Sequence, residues 1–320
     1  MFAEKNRILE FAKKQMLIVM TIIIAVIFSA INNKFFSIEN LMNIIRQISL
    51  YGIMSCGLTF VLISGNFDLT GGAVASLACC TMVIMHEQMG PIPAMLITLA
   101  IGMVSGMVTG FFVGYVKLNN FITTLGMQSI VSAVAMMYTK SMFYYIQDGD
   151  GVWFKELGRG SIIGLPTPAY IYVALIAIFQ LILSKSLFGR HVKAVGGNAV
   201  ASKYAGIKDS FVIMRSYIIA GLCYALAGII LASRGLSAQV DAASGFEFDV
   251  LTACILSGTS LLGGEGSVSR AFFGVFIMGM LRNGYVMVGL PYYYQYLTQC
   301  VIIIAVVWLD IASRKKAVTR

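Results

Sequence analysis

FGRHVKAVGGNAVASKYAGI, residues 188–207, is a basic, small-residue island between long apolar runs. It carries Arg190, His191, Lys193 and Lys203, and Gly196-Gly197 leaves room for a turn between two short helical pieces. Charge alone fits two readings, a solvated loop held on the inner side by the positive-inside bias and a docking surface. The flanking runs decide the class. Hydrophobic residues make up 58% of the chain and charged residues 12%, against about 25% charged in an ordinary soluble domain. This composition is that of an all-α integral membrane protein.

Apolar stretches able to cross about 30 Å of hydrocarbon fall near 16–31, 41–63, 72–86, 92–116, 121–139, 170–184, 212–233, 248–262, 270–288 and 294–310. That predicts about ten transmembrane helices, of which the shorter ones are expected to be broken or re-entrant. The first run follows Lys5, Arg7, Lys13 and Lys14 and is not followed by a small-residue cleavage site, so it reads as an uncleaved span. With both termini inside, 16 Lys/Arg fall in cytoplasmic segments and 5 outside, while Arg46 and Arg282 remain within spans. The asymmetry sets the orientation, with both termini cytoplasmic in a plasma membrane. The net charge of +9 is then a topology signal sharpened by anionic lipid, and nucleic acid is not an expected partner.

Enzyme signatures are missing. With only His86 and His191 there is no HExxH, and no GxSxG occurs. GNAVASKY (197–204) resembles a phosphate-binding loop but lacks the second glycine before Lys203 and a Ser/Thr after it, so the chain is not expected to bind ATP. No catalytic residue, cofactor or metal is expected. Cys56, Cys79, Cys80, Cys223, Cys254 and Cys300 all fall in predicted spans without a CxxC and read as small packing residues.

Glycine placement carries more information. Gly102, Gly106, Gly110 and Gly114 recur at every fourth position, which puts four residues without Cβ on one helix face for close backbone contact. Gly221, Gly228 and Gly235 follow a seven-residue spacing. LTFVLISG (58–65) and LTACILSG (251–258) share L-T-x4-S-G, each followed by a double glycine, Gly71-Gly72 or Gly263-Gly264. Such strings permit helix interruption, because the hydroxyls can satisfy released backbone groups. Internal duplication and chance similarity both remain open for the pair. Ser64, Asn66, Asp68, Thr70, Ser257, Thr259, Gly263, Gly264 and Asn283 are the candidate residues of the breaks and of a translocation path. Asp68 or Thr70 is expected to cap the helix that starts near Gly71, with pairing of Asp68 to Arg46 or Arg282 as the alternative.

SLFGRHVKAVGGNAVASKYAGI (186–207) resembles the cytoplasmic coupling segment of permease subunits of bacterial ribose-type sugar ABC importers. GFEFDVLTACILSGTSLLGGEGSVSRAFFGVFIMGMLRNGYVMVGL (245–290), FITTLGM (121–127), SGNFDLTGG (64–72) and QYLTQCVIIIAVV (295–307) resemble the same family, so the likeness covers roughly residues 41–310. Departures at Asn66, Phe67, Thr70-Gly71 and Val113-Gly114 bear on substrate identity, not on the family. The resemblance implies a single permease domain over 1–320 with the type II importer fold, in the inner membrane. It also implies a coupling segment at about 185–211 and a periplasmic loop at about 140–169 that carries Asp148, Asp150, Lys155, Glu156 and Arg159. The implied partners are cytoplasmic ATPase subunits, a periplasmic sugar-binding protein and a second permease copy, in a homodimer or heterodimer. Phe188, Gly189, Arg190, His191, Ala194, Gly196, Gly197, Asn198 and Ala201 are the residues implied to couple to the ATPase. The expected cargo is a monosaccharide of the ribose, xylose or galactose class; an ion-coupled carrier and a same-family permease for a solute such as a nucleoside are the alternatives.

Overall fold

The computed structural model describes residues 2–146 and 152–318. Asp148 and Asp150 of the expected outward loop lie outside the described residues. In chain order the helices are α1 (Phe2–Ile31), α2 (Ile38–Ile63), α3 (Gly71–Met89), α4 (Pro91–Gly114), α5 (Asn120–Thr139), α6 (Val152–Arg159) and α7 (Thr167–Lys185). There follow α8 (Leu187–Gly197), α9 (Ala199–Tyr204), α10 (Asp209–Gly235), α11 (Phe246–Leu256), α12 (Val268–Val288) and α13 (Tyr292–Val318). Two short antiparallel ladders decorate one end. β1 (Tyr144–Tyr145) pairs with β4 (Ser237–Ala238), and β2 (Ser161–Ile162) with β3 (Leu165–Pro166).

Six helices, α2, α4, α5, α7, α10 and α12, are long and apolar enough to cross a membrane, and α1 carries a shorter apolar stretch, Leu17–Ile31. The span expected at 248–262 is one of the short ones, and only its first part is helical. Its helix, α11, ends at Leu256 after 11 residues, a length of about 16 Å at 1.5 Å per residue, which is about half of a hydrocarbon core. The residues after it fold as a glycine-rich loop up to Ser267, the N-cap of α12.

α2 and α10 form the buried centre, whereas α5 and α7 turn exposed Ile122, Ile130, Met137, Val173 and Leu181 outward. The four-residue glycine stripe of α4 faces α10 along its length. A Cβ on Gly106 would lie 2.2 Å from Tyr217 O, and one on Gly102 would lie 2.5 Å from Gly221 O. Two turns further along nearly the same face of α10, a Cβ on Gly228 would lie 2.4 Å from Ala75 O of α3. Gly235, the third glycine of the seven-residue series, meets only Ser237 Oγ at 3.1 Å and takes no part in this packing. Within a bilayer, where lipid tails are as apolar as leucine, such backbone proximity supplies the dispersion contacts that hold helices together.

α8, α9 and the turns after α2, α4 and α11 gather at one end of the bundle. Lys117 Nζ meets Asp209 Oδ2 at 2.7 Å there. The ladders, α6 and the α3–α4 turn lie at the opposite end, where Arg159 Nε donates to Arg234 O. Asn32 at the end of α1 donates to Met287 O near the end of α12, so α1 runs from the α8 end and α13 runs back to it.

Replacing Gly106 with Leu is expected to destabilise the purified full-length protein by about 1–3 kcal/mol or more, because the added carbons have only Tyr217 backbone to displace. Gly126 of α5, with nothing within 4 Å of its Cβ position, is the control, and Gly126→Ala is expected to be neutral or to stabilise by up to about 1 kcal/mol. Thermal unfolding in detergent measures both. Equal midpoints for Gly106→Leu and the parent would show that α4 and α10 do not meet at this glycine.

Candidate functional site

α2 terminates as a glycine C-cap. Ser64 is the C-cap residue, Gly65 adopts φ 80°, and Asn66 N donates to Val61 O at 3.1 Å while Gly65 N donates to Leu62 O at 2.9 Å. This is the paired 6→1 and 5→2 pattern that satisfies the last carbonyls of a helix. Ser64 Oγ donates to Val61 O, and the Asn66 amide donates to both Ser64 oxygens. Residues 66–70 then run without helix to Gly71, with Asn66, Asp68, Leu69 and Thr70 all buried.

Two tyrosines of α10 hold this unwound segment. The Tyr217 hydroxyl donates to Phe67 O, and the Tyr224 hydroxyl donates to Asp68 Oδ2 at 3.2 Å. Asp68 Oδ1 accepts from Thr70 N at 2.9 Å and from Thr70 Oγ1 at 2.7 Å. The capping expectation is corrected in detail. Thr70 occupies the N-cap position of α3 without a side-chain capping bond, and Asp68 closes a turn on Thr70 itself, one residue before the helix begins. Pairing of Asp68 with an arginine is not what the structure has. Arg282 Nη1 meets Asp249 Oδ2 at 2.7 Å, and Arg46 donates to Asn43 Oδ1 and Arg159 O. The sequence reading missed Tyr217 and Tyr224. Their signal was present, seven residues apart on the helix that also carries Gly221 and Gly228.

The second break repeats the helix C-cap of the first, without a counterpart of the Asn66 amide bonds. Ser257 N donates to Ala253 O, Gly258 N to Ile255 O and Thr259 N to Cys254 O, with Gly258 at φ 91°. Ser257 Oγ donates to Cys254 O at 2.7 Å, as Ser64 Oγ does to Val61 O. Thr59 and Thr252 each donate to the carbonyl four residues back. The shared L-T-x4-S-G string therefore folds alike in both places, and α2 and α11 lie side by side with Thr59 Oγ1 3.7 Å from Cys254 Sγ. Beyond the breaks the two segments differ. The first rises unwound into α3, and the second turns through Gly263 and Gly264, at φ 86° and 81°, before α12.

The breaks meet each other and the end of α8. Gly264 N donates to Ile63 O at 2.8 Å. A Cβ on Gly196 would lie 1.8 Å from Ile63 O and 2.6 Å from Gly264 N, and one on Gly263 would lie 2.7 Å from Gly65 Cα. Of the expected path residues, Ser64, Gly263 and Gly264 thus gather beside Gly196 and Gly197. Ser257 and Thr259 stand at the second break, while Asn66, Asp68 and Thr70 continue into the bundle. Asn283 is elsewhere, exchanging two 2.9 Å hydrogen bonds with Asn40.

The basic island is an ordered helical pair. Ser186 Oγ accepts from Gly189 N to start α8, and Asn198 Oδ1 accepts from Ala201 N to start α9. One face is anchored. Val192 and Val195 are buried, Phe188 stacks on Phe60 of α2 with centroids 5.9 Å apart, and a Cβ on Gly189 would lie 2.4 Å from Ile182 O. The other face exposes Arg190, Lys193, Asn198, Ala201 and Lys203 together with apolar Leu187, Val200 and Tyr204, while His191 and Ala194 are half-buried. Exposed aliphatic and aromatic carbon interleaved with cations suits a protein surface better than free solvent. Among the described residues no group of His, Cys, Asp and Glu could hold a metal ion.

Comparison with known proteins gives this arrangement its context. Residues 40–307 match the family described as "Branched-chain amino acid transport system / permease component". The chain is 35% identical over 296 residues to the ribose import permease protein RbsC of Bacillus subtilis (strain 168), covering 92% of this chain and 91% of that one. It is 34% identical over 302 residues to RbsC of Escherichia coli (strain K12), covering 93% of each. It is also 34% identical over 308 residues to the L-arabinose transport system permease protein AraH of the same strain, covering 92% of this chain and 90% of that one. No solved structure matches. With apolar helices that cross a membrane and a match over most of its length, the chain belongs to this family of transport-system permease components, a multi-pass membrane protein and not an enzyme.

Proposed function

We propose that the chain is the membrane-spanning permease subunit of an ATP-binding-cassette importer, that its cargo is a monosaccharide, and that α8 and α9 dock on a separate ATPase subunit. The observation that carries this reading is the contact between Gly196-Gly197, at the end of the exposed basic helix, and the backbones of both helix breaks. A push on α8 reaches Ile63–Gly65 and Gly263-Gly264 with no intervening side chain to absorb it. The relatives' names, ribose import and L-arabinose transport, supply the cargo class; the family description alone would allow an amino acid.

The chain acts as one permease domain over 1–320, with ten embedded helices of which α3 and α11 are the interrupted ones, and it works with a second permease copy. The α8 end faces the cytoplasm of a bacterial inner membrane with both termini, in keeping with the excess of Lys/Arg on that side. The opposite end, with α6 and the ladders, receives a periplasmic sugar-binding protein. A self-energised ion-coupled carrier is not favoured, because the relatives are import and transport-system permeases and the buried Asp68 is engaged by Thr70 and Tyr224.

Uptake of radiolabelled ribose or L-arabinose into vesicles that hold the assembled transporter is the direct test. It is expected to require internal ATP and the binding protein. Accumulation driven by an ion gradient without ATP would sink the reading.

Arg190→Glu and Gly196→Ala address coupling. Both are expected to assemble yet lose about tenfold or more of ATP-driven uptake, one by reversing a docking charge, the other because even a methyl group collides with Ile63 O. Wild-type uptake in both, at equal expression, would remove α8 from the mechanism.

Asp68→Asn is expected to keep most of the transport, since the amide oxygen still accepts from Thr70 and no cation loses its partner. Asp68→Ala orphans the buried Thr70 N–H and Tyr224 hydroxyl, at a cost on the order of 1–3 kcal/mol each. It is expected to lower stability and uptake together. A severe defect in well-assembled Asp68→Asn would show that the charge itself is needed.

A further inference from the structure

A cavity of about 400 Å³ opens toward the end opposite α8, away from the candidate site described above. Its walls are the start of α3, one face of α5, residues 141–143 beyond α5, and the segment 239–247, carrying Asp241, that precedes and opens α11. Gln128, Ser132 and Met136 recur every fourth residue on the α5 wall, with Ser76 and Glu247 facing them. The volume is within the range of small-molecule sites, roughly 300–1,000 Å³.

Glu247 makes this more than a crevice. Its side chain is only 4% exposed. Oε1 accepts from the Gln128 amide at 3.0 Å, whereas Oε2 has no hydrogen-bond partner among the described residues. A buried carboxylate oxygen without a donor is costly. The fold nevertheless makes room for it, because a Cβ on Gly72 would lie 2.0 Å from Oε2. Any residue other than glycine at position 72 would expel the carboxylate.

The unmet need is for a hydrogen-bond partner, a donor to the carboxylate or an acceptor for the carboxylic acid. The neighbouring Gln128 and Ser132 can both donate and accept. Sugar hydroxyls have that dual character, and they could give Oε2 its partner without bringing a charge into a low-dielectric setting. The cavity also reaches Gly72, two residues beyond the unwound segment that ends at Thr70, so a solute in it touches the helix that begins at the first break.

We propose that this cavity is a transit subsite for a polyhydroxylated solute, with Glu247 Oε2 and the Gln128 amide as its hydrogen-bonding end. The assignment rests on the sugar-import reading above and adds to it a place of contact within the permease.

The test is protection of a cysteine from a water-soluble maleimide in vesicles that hold the assembled transporter. Ser132→Cys is placed on a Cys300→Ser background, since the other five native cysteines are buried. The probes are D-ribose, L-arabinose and L-leucine in the millimolar range. Ribose or arabinose is expected to slow labelling, and leucine is not. Glu247→Gln and Gln128→Leu are each expected to raise the half-protecting sugar concentration about tenfold, the scale of one lost hydrogen bond. Should Glu247→Gln fail to assemble, Gln128→Leu on the half-buried wall decides. Absence of protection by any probe, in a complex that still imports sugar with ATP, overturns the subsite and leaves the transport reading standing. Protection by leucine and not by sugars overturns the polyhydroxyl assignment, and failure of ATP-driven sugar uptake in the same preparation would overturn the cargo class as well. Sugar protection that Glu247→Gln and Gln128→Leu leave unchanged overturns the role given to these two residues.

Discussion

A helix interrupted inside a bilayer releases N–H and C=O groups that no water can satisfy, and each one left bare costs several kcal/mol. The architecture of this permease follows from meeting that demand twice. At the first break the partners are hydroxyls from the neighbouring helix, Tyr217 on Phe67 O and Tyr224 on Asp68, with Asp68 itself turned onto Thr70. At the second break the chain turns back on itself through glycines and borrows one carbonyl, Ile63 O, from the first. α10 must therefore lie against α2 and α3 closely enough for its tyrosines to reach. Gly57, opposite Ala220, and Gly228, opposite Ala75, make that approach possible.

The same closeness bears on the coupling proposed for α8. Three backbones meet at Ile63–Gly65, Gly196-Gly197 and Gly263-Gly264 with no side chains between them. Flexible side chains would take up small displacements by changing rotamer, whereas backbone in direct contact passes them on. The helical pair exposes cations and apolar carbon on one face and plants its terminal glycines on both breaks, which is the arrangement the proposed coupling to a partner requires. The polar cavity at the other end, with its floor at Gly72 and Glu247, lies along the helix that begins at the first break. The first break and the cavity are thus joined by α3 and its unwound leader, and the end of α8 meets the same break at Ile63.

Much of this was legible in the residues alone. Composition sets the membrane class because hydrocarbon tolerates few charges. The L-T-x4-S-G strings reported both breaks because a glycine C-cap is a local event: its hydrogen bonds run within the last turn of the helix, and Ser64 and Ser257 each need only the carbonyl three residues back. The stripe from Gly102 to Gly114 reported close packing because helical spacing places those positions on one face. The caps that make α8 and α9 separate helices, Ser186 and Asn198, are likewise local.

What only the tertiary structure decided is which distant groups meet. Nothing in SGNFDLTGG says that Asp68 is held by Tyr224 and not by Arg46 or Arg282. The choice depends on the relative positions of α3, α10 and α12, which are set by summed packing over the bundle. For the same reason Asn283 was grouped with the breaks from its polarity and proved to pair with Asn40, and Gln128 and Glu247, more than a hundred residues apart, could not be read as one site. Sequence encodes bonds made within a turn of helix through the identity of neighbouring residues. Bonds between helices depend on where a whole face comes to rest, and no single residue carries that information.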